Sequence, residues 1–342
     1  MAAAMMSTFD LAGVTVAAVA SRDIERGRRF ANAFGIPAAA DNLNSFLGSS
    51  EFDAVYIANA SAEHASTVIA ALEAGKAVLC EKPLALSANE AERVAATARR
   101  MGKLCMEGLW TSFLPAYRRF VELARANTCG KAIHLFADFG YPVSKNAMPR
   151  LLSPAAGGVL LDRGIYLLAL ALDLFGPVEN VDAKLELGAG NVDQHASLQL
   201  VHRDGGYSQL AASFTCLMSN TATLACSGGL IQLEEPLIGG EMTSTRRFAV
   251  KPDLPQELVR QLGTKQRVVR GLRQQPLVRR LKRSIPTARR EYLSYGSDQY
   301  LPQLIHFLAL MSRGASESDI VSLERSLSIQ RVIDRARAGQ GH

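Results

Sequence analysis

The chain has 342 residues, 48% of them hydrophobic and 20% charged, an ordinary globular balance in a length that suits two domains. No apolar run reaches the roughly 18 residues of a membrane span, and the start MAAAMMSTFDLAGVTVAAVASRD, with Asp10 and no basic flank, does not read as a signal peptide. The net charge of +6 comes from residues 251–290, where 12 Lys/Arg face only Asp253 and Glu257, so the rest of the chain is slightly acidic and nucleic-acid binding is not expected of the fold as a whole.

In chain order, VTVAAVA (14–20) predicts a strand and IERGRRFANAF (24–34) a helix ending at Gly35. FDAVYIANA (52–60) predicts a second strand, and HASTVIAALEAG (64–75) a helix with Gly75 as its cap. KAVLCEKP (76–83) predicts a third strand. Ser87 to Glu90 forms a capping box for a helix that runs to Gly102, and KLCMEG (103–108) is a fourth strand. This alternation means βαβ units and a parallel sheet, a Rossmann-like domain over 1–108.

From residue 109 to 342 the pattern changes. One helix, LPAYRRFVELARAN, precedes longer alternating strands: KAIHLFADFG, VENVDAKLELG, HASLQLVHRDGGYSQLAASFTC and NTATLACSGGLIQLEE. The Asp204-Gly205-Gly206 turn is a hairpin signal. A mostly antiparallel, open-faced α+β domain follows, closed by two amphipathic helices from YLPQLIHFLALMSRG and SLERSLSIQRVIDRARA. Segment 251–290, with four prolines and regular basic residues, reads as a solvated insertion or as a patch for an acidic surface. Five scattered cysteines without a CxxC fit free thiols in a cytoplasmic setting and offer no metal signature.

Three clusters carry chemistry. Lys82 stands where a buried parallel strand runs out, the end at which ligands bind in such sheets, and Pro83 restricts its backbone. An ammonium there suits charge developing on an oxygen as alcohol and carbonyl interconvert; it equally reads as a surface lysine paired with Glu81. In SPAAGGVLLDRGIYLLALALDLFG (153–176), Asp162 and Tyr166 are four apart on a predicted helix, so a carboxylate could orient a phenol for proton transfer. The plainer reading is a dipole-complementing aspartate and a core aromatic. Ser21 and Arg22 follow the first predicted strand, where an arginine accommodates a ribose 2′-phosphate, so NADP is favoured over NAD. His64 opens a helix beside a strand end and could touch cofactor or substrate.

With these residues in view the chain resembles the Gfo/Idh/MocA family of nicotinamide-dependent oxidoreductases, within it the dihydrodiol and NADP-dependent xylose dehydrogenase branch. The similar stretches are VASRDIERGRRFANAFGIP, FDAVYIANASAEH, AALEAGKAVLCEKPLALSANEA, GGVLLDRGIY and SFTCLMSNTATLACSGGLIQL. The resemblance implies a Rossmann domain and an α+β domain whose open sheet pairs two subunits. It implies hydride transfer on a secondary alcohol of a sugar, cyclitol or trans-dihydrodiol, with Lys82 and Tyr166 catalytic and Asp162 supporting them. It implies cofactor contacts from Ser21, Arg22, Ala58, Asn59, His64, Glu81 and Lys82. A non-catalytic sensor of the same family is the alternative. Family members open with a strand and a GxGxxG/A turn, whereas MAAAMMSTFDLAG resembles the end of the following helix. The expectation is a start assigned too far downstream, the alternative a shortened, cofactor-poor protein. Arg163 also departs from the pattern, which puts an apolar residue there; it is expected either to read a charged substrate or to pair with Asp162.

Overall fold

The computed structural model describes residues 1–49, 51–144, 149–153, 157–248 and 288–339, so all but the last three residues of the basic stretch 251–290 lie outside the described residues. The first part runs helix α1 (Ala2–Leu11), strand β1 (Ala18–Ala20), α2 (Ile24–Phe34), β2 (Ala38–Ala40), α3 (Leu43–Leu47) and β3 (Ala54–Ile57). It continues with α4 (His64–Glu73), β4 (Ala77–Glu81), α5 (Ala88–Met101) and β5 (Cys105–Gly108). Local chemistry sets several of these limits. Asp23 and Ser87 accept the backbone N–H groups of Arg26 and Glu90 at the starts of α2 and α5, and Gly35 and Gly102 end the same helices in the left-handed conformation.

All strand pairs here are parallel, as the alternation requires, but they form two separate sheets, β1–β2 and β3–β4–β5. Two local expectations need correction, and two elements are additional to them. The first strand is confined to Ala18–Ala20, because Val14 N–H turns back to the Phe9 carbonyl behind α1. Strand β2 and helix α3 had no expectation at all. Gly75 lies one residue beyond the cap of α4, which is Ala74, and takes φ +77°.

The second part contributes α6 (Pro115–Arg125), β6 (Ala132–Gly140), a π-helical turn (Leu160–Gly164), α7 (Ile165–Phe175), β7 (Val178–Leu187), β8 (Asp193–His202) and β9 (Tyr207–Ser213). After these come β10 (Ala222–Cys226), β11 (Gly229–Leu233), β12 (Met242–Arg247), β13 (Arg289–Tyr292), α8 (Leu301–Ser312) and α9 (Leu323–Ala338). The strands form one eight-stranded sheet in the order β13-β12-β11-β10-β6-β9-β8-β7, antiparallel except for the parallel β6–β9 pair. Alternation buries one face: Leu135, Ala137, Leu198, Leu210 and Leu224 point into a core shared with α6 and α7. The other face carries Phe136 and Tyr207, 44% and 51% exposed, with His134 stacked on Phe136 at 4.2 Å.

A second core lies under the β3–β4–β5 sheet, built from Val68, Leu72, Val78, Cys80, Val94 and Cys105, and Leu323 and Leu327 of α9 complete it. Helix α1 packs beside β3: Met5 is fully buried, and Phe9 meets Tyr56 edge-on at 5.5 Å. Among the described residues no helix is long and apolar enough to cross a membrane.

Candidate active site

Strand β4 is the middle strand of its sheet and buried throughout, and its carboxyl end delivers Glu81, Lys82 and Pro83. The backbone beyond it is fixed from several sides. His64 Nδ1 donates to the Pro83 carbonyl at 2.7 Å, and Leu84 N–H donates to Glu107 Oε1 at 2.7 Å. The other oxygen of Glu107 accepts the Ser326 hydroxyl of α9 at 2.6 Å. Burial raises the Glu107 pKa and these two bonds oppose the rise. At the start of α5, Ser87 Oγ accepts Glu90 N–H, and the Glu90 carboxylate reaches back to Leu86 N–H, the residue before the cap rather than Ser87 itself. Lys82 therefore projects from a loop with little backbone freedom.

Asp162 lies in the π-helical turn ahead of α7, and Tyr166 in the first turn of α7 itself. That turn is tethered at its start. Asp193 accepts Leu160 N–H at 2.7 Å and Arg337 at 2.9 Å, and Arg337 also donates to the Gly157 carbonyl. Gly158 makes room for this: a Cβ there would stand 2.4 Å from Asp193 Oδ1.

The turn brings Asp162 and Tyr166 onto Lys82. The ammonium donates to Asp162 Oδ1 at 2.6 Å and to the Asp162 carbonyl at 2.7 Å, and stands 5.1 Å from the centre of the Tyr166 ring. The Asp162 carboxylate thus serves the lysine, which connects it to the phenol, rather than the simple i,i+4 pair on one α-helical face that the spacing suggested. Burial alone would lower the Lys82 pKa; the Tyr166 and Asp162 charges outweigh it and raise it instead. Burial pushes the Tyr166 hydroxyl up to about 12, and the Lys82 charge pulls it down. Trp110 packs edge-on to Tyr166, centroids 6.4 Å apart.

Arg163 is fully buried and lies over the Tyr141 ring at 3.6 Å and the Phe214 ring at 4.6 Å. It donates to the Tyr141 and Ser213 carbonyls, and its Nε stands 3.9 Å from Asp162 Oδ2. Of the two expectations for this residue, the geometry has the pairing with Asp162. The carboxylate lies between two cations.

The remaining predicted residues sit along the same strand ends. Ser21 and Arg22 follow β1, Ser21 N–H bonding the Ala40 carbonyl and Arg22 forming an ion pair with Glu63. Ala58 and Asn59 follow β3, and Asn59 donates to Thr67 at 2.9 Å. His64 is 1% exposed, with Nε2 3.4 Å from the Asn59 carbonyl, so both ring nitrogens face backbone oxygens. Glu81 is buried, and its Oε1 accepts the Tyr56 hydroxyl at 2.5 Å. Burial raises the Glu81 pKa, opposed by that bond and by Lys82. The strand ends thus carry hydrogen-bond donors of the kinds a dinucleotide and an alcohol substrate call for: a hydroxyl and a guanidinium after β1, an ammonium and a phenol beyond β4.

Sequence reasoning missed Glu107, Trp110, Asp193 and Arg337. Only the Gly157-Gly158 pair hinted at a close approach, and it did not say by what. Among the described residues no group of His, Cys, Asp or Glu could hold a metal ion.

Comparison with known proteins gives the following matches. A family model described as an oxidoreductase family with an NAD-binding Rossmann fold, Gfo/Idh/MocA, matches residues 1–109, and a Gfo/Idh/MocA C-terminal domain model matches residues 117–232. The chain is 29% identical over 331 residues to trans-1,2-dihydrobenzene-1,2-diol dehydrogenase of Mus musculus, covering 95% of this chain and 89% of that protein. The Homo sapiens protein of the same name is 32% identical over 241 residues, 68% of this chain and 70% of that one. Among solved structures, a 3-ketoreductase from Actinomadura kijaniata in complex with NADP and TDP-benzene superposes with a TM-score of 0.77 at 24% identity, covering 98% of this chain and 92% of that one, a likeness of fold.

Proposed function

The chain belongs to the Gfo/Idh/MocA oxidoreductase family, and from that premise we propose that it transfers hydride between NADP and a secondary alcohol or carbonyl of a sugar, cyclitol or trans-dihydrodiol. The names of the diol dehydrogenase relatives support the substrate class. The observation that carries the reading is the Lys82–Asp162–Tyr166 cluster at the carboxyl end of a parallel strand.

The dinucleotide supplies the hydride acceptor or donor when bound. Ser21 and Arg22 would hold its 2′-phosphate end, and Ala58, Asn59 and Glu81 would lead toward Lys82, while His64, buried with both ring nitrogens on backbone oxygens, would fix the Pro83 backbone behind them. Lys82 donates a hydrogen bond to the reacting oxygen and stabilises negative charge there. Asp162 keeps the ammonium aimed and charged. Tyr166 carries the proton to or from the same oxygen, its phenol made more acidic by the ammonium beside it. Trp110 at 5% exposure and Tyr166 at 7% wall one side of the cluster.

The exposed Phe136 and Tyr207, grouped around His134 on the open face of the eight-stranded sheet, support a homodimer formed through that sheet. Fluorescence titration with NADPH and NADH, combined with turnover on a panel of secondary alcohols and their ketones, tests the function. Tighter binding of NADPH and oxidation of at least one diol or polyol are expected. Binding of neither dinucleotide, with no turnover of any panel member, overturns it.

A further inference from the structure

Arg22 lies just past β1, and Glu63 lies in the short 3₁₀ turn (Ser61–Glu63) between β3 and α4. These strand ends belong to the two separate parallel sheets, so the Arg22 Nη1–Glu63 Oε1 ion pair joins one sheet's rim to the other's. The pair is open to solvent, with side chains 80% and 34% exposed. It is not needed to start either neighbouring helix: Asp23 caps α2, and the Glu63 side chain caps nothing in α4.

We propose that Glu63 is a specificity-determining residue that competes with the cofactor's 2′-phosphate for Arg22 and so narrows the preference for NADP over NAD. The proposal rests on the reading of Arg22 given above. With Nη1 held by Glu63, the guanidinium can offer its full two-pronged face to a phosphate only by letting the carboxylate go. An exposed pair of this kind is worth at most about a fivefold factor in an equilibrium constant, so the phosphate wins, but at reduced affinity. The released carboxylate then faces a doubly charged phosphate and repels it. Asp23 and Glu25 add negative charge at the start of α2, and Arg26 and Arg28 offset it. Neutralising Glu63 removes competitor and repulsion together while leaving Arg22 free.

Calorimetric titration of the full chain with 2′,5′-ADP and 5′-AMP reads this subsite without turnover, and NADPH and NADH follow by fluorescence. Glu63→Gln is expected to tighten 2′,5′-ADP and NADPH by about two- to fivefold and to change 5′-AMP and NADH by less than about 1.5-fold. The gain should shrink at high ionic strength. Arg22→Ala separates the two levels. If it weakens 2′,5′-ADP while Glu63→Gln leaves the ligand unchanged, the competition proposed here is wrong and the Arg22 reading stands. If Arg22→Ala leaves 2′,5′-ADP unchanged, or the wild type does not bind it, the Arg22 reading itself fails and this proposal with it.

Discussion

Replacing Lys82 with methionine keeps most of the length of the side chain and removes its charge and donors, and so separates chemistry from folding. The wild-type ammonium bonds Asp162 at both the carboxylate and the carbonyl, at 2.6 and 2.7 Å. Orphaning a fully buried carboxylate costs about 3–5 kcal/mol. Asp162 is 24% exposed and has Arg163 Nε 3.9 Å away, so water and a second cation remain to it. The expected loss of stability is about 1–2 kcal/mol, a melting shift on the order of 2–8 °C. Losing a donor to charge developing on the reacting oxygen costs about 2.7–4 kcal/mol, or 10²–10³ in kcat. Initial rates followed by nicotinamide absorbance at saturating alcohol, beside a thermal melt, measure both. Because the Lys82 charge pulls the Tyr166 hydroxyl down, its removal should also move the rising limb of alcohol oxidation, where Tyr166 must lose its proton, to higher pH. A variant with kcat within about threefold of wild type refutes the reasoning, since no donor of that worth was removed.

Gly158→Ala is expected to destabilise the chain by about 2–4 kcal/mol and to lower kcat, because φ is +74° and a Cβ would drive Asp193 off Leu160 N–H and Arg337; urea melts check it, and a midpoint equal to wild type contradicts it. Burial lowers the pKa of His64, so the unfolded chain binds more protons below about 6.5, and this part of the stability is lost as pH falls through that value. Glu81 and Glu107, raised by burial, act with the opposite sign in acid, so the informative comparison is His64→Gln, whose urea midpoint should fall less between pH 7.5 and 5.5 than that of wild type; equal falls argue against it. Phe136→Asp should convert a dimer to a monomer in sedimentation velocity, and an unchanged sedimentation coefficient would count against the sheet-face interface.

What the sequence disclosed followed from how local each signal was. Helix α2 was readable to the residue because its apolar spacing, the Asp23 cap and the left-handed Gly35 all lie within thirteen residues of chain. The end of β4 was readable because a buried apolar run stops at a charged residue followed by proline. Strand β2 was not, since three alanines carry no strand preference and only pairing of Ala38 with Ala18 makes them one. Strands β12 and β13, MTSTRR and RREY, are polar segments at one edge of the eight-stranded sheet, defined by register alone. Lys82 and Tyr166 could be nominated; the π-helical turn that puts Asp162 against Lys82 could not, because Asp193 and Arg337 hold it from 33 and 180 residues away. The same distance hid Ser326 as the partner of Glu107.

Helix α9 gives that last contact a mechanical meaning. Leu323 and Leu327 fill the core beneath the β3–β4–β5 sheet, and Ser326 reaches the carboxylate that holds the loop after Lys82. Glu107 and Ser326 are 219 residues apart in the chain. The core of the β3–β4–β5 sheet is therefore unfinished until α9 docks, and any local opening of that helix is felt directly in the loop that carries Lys82.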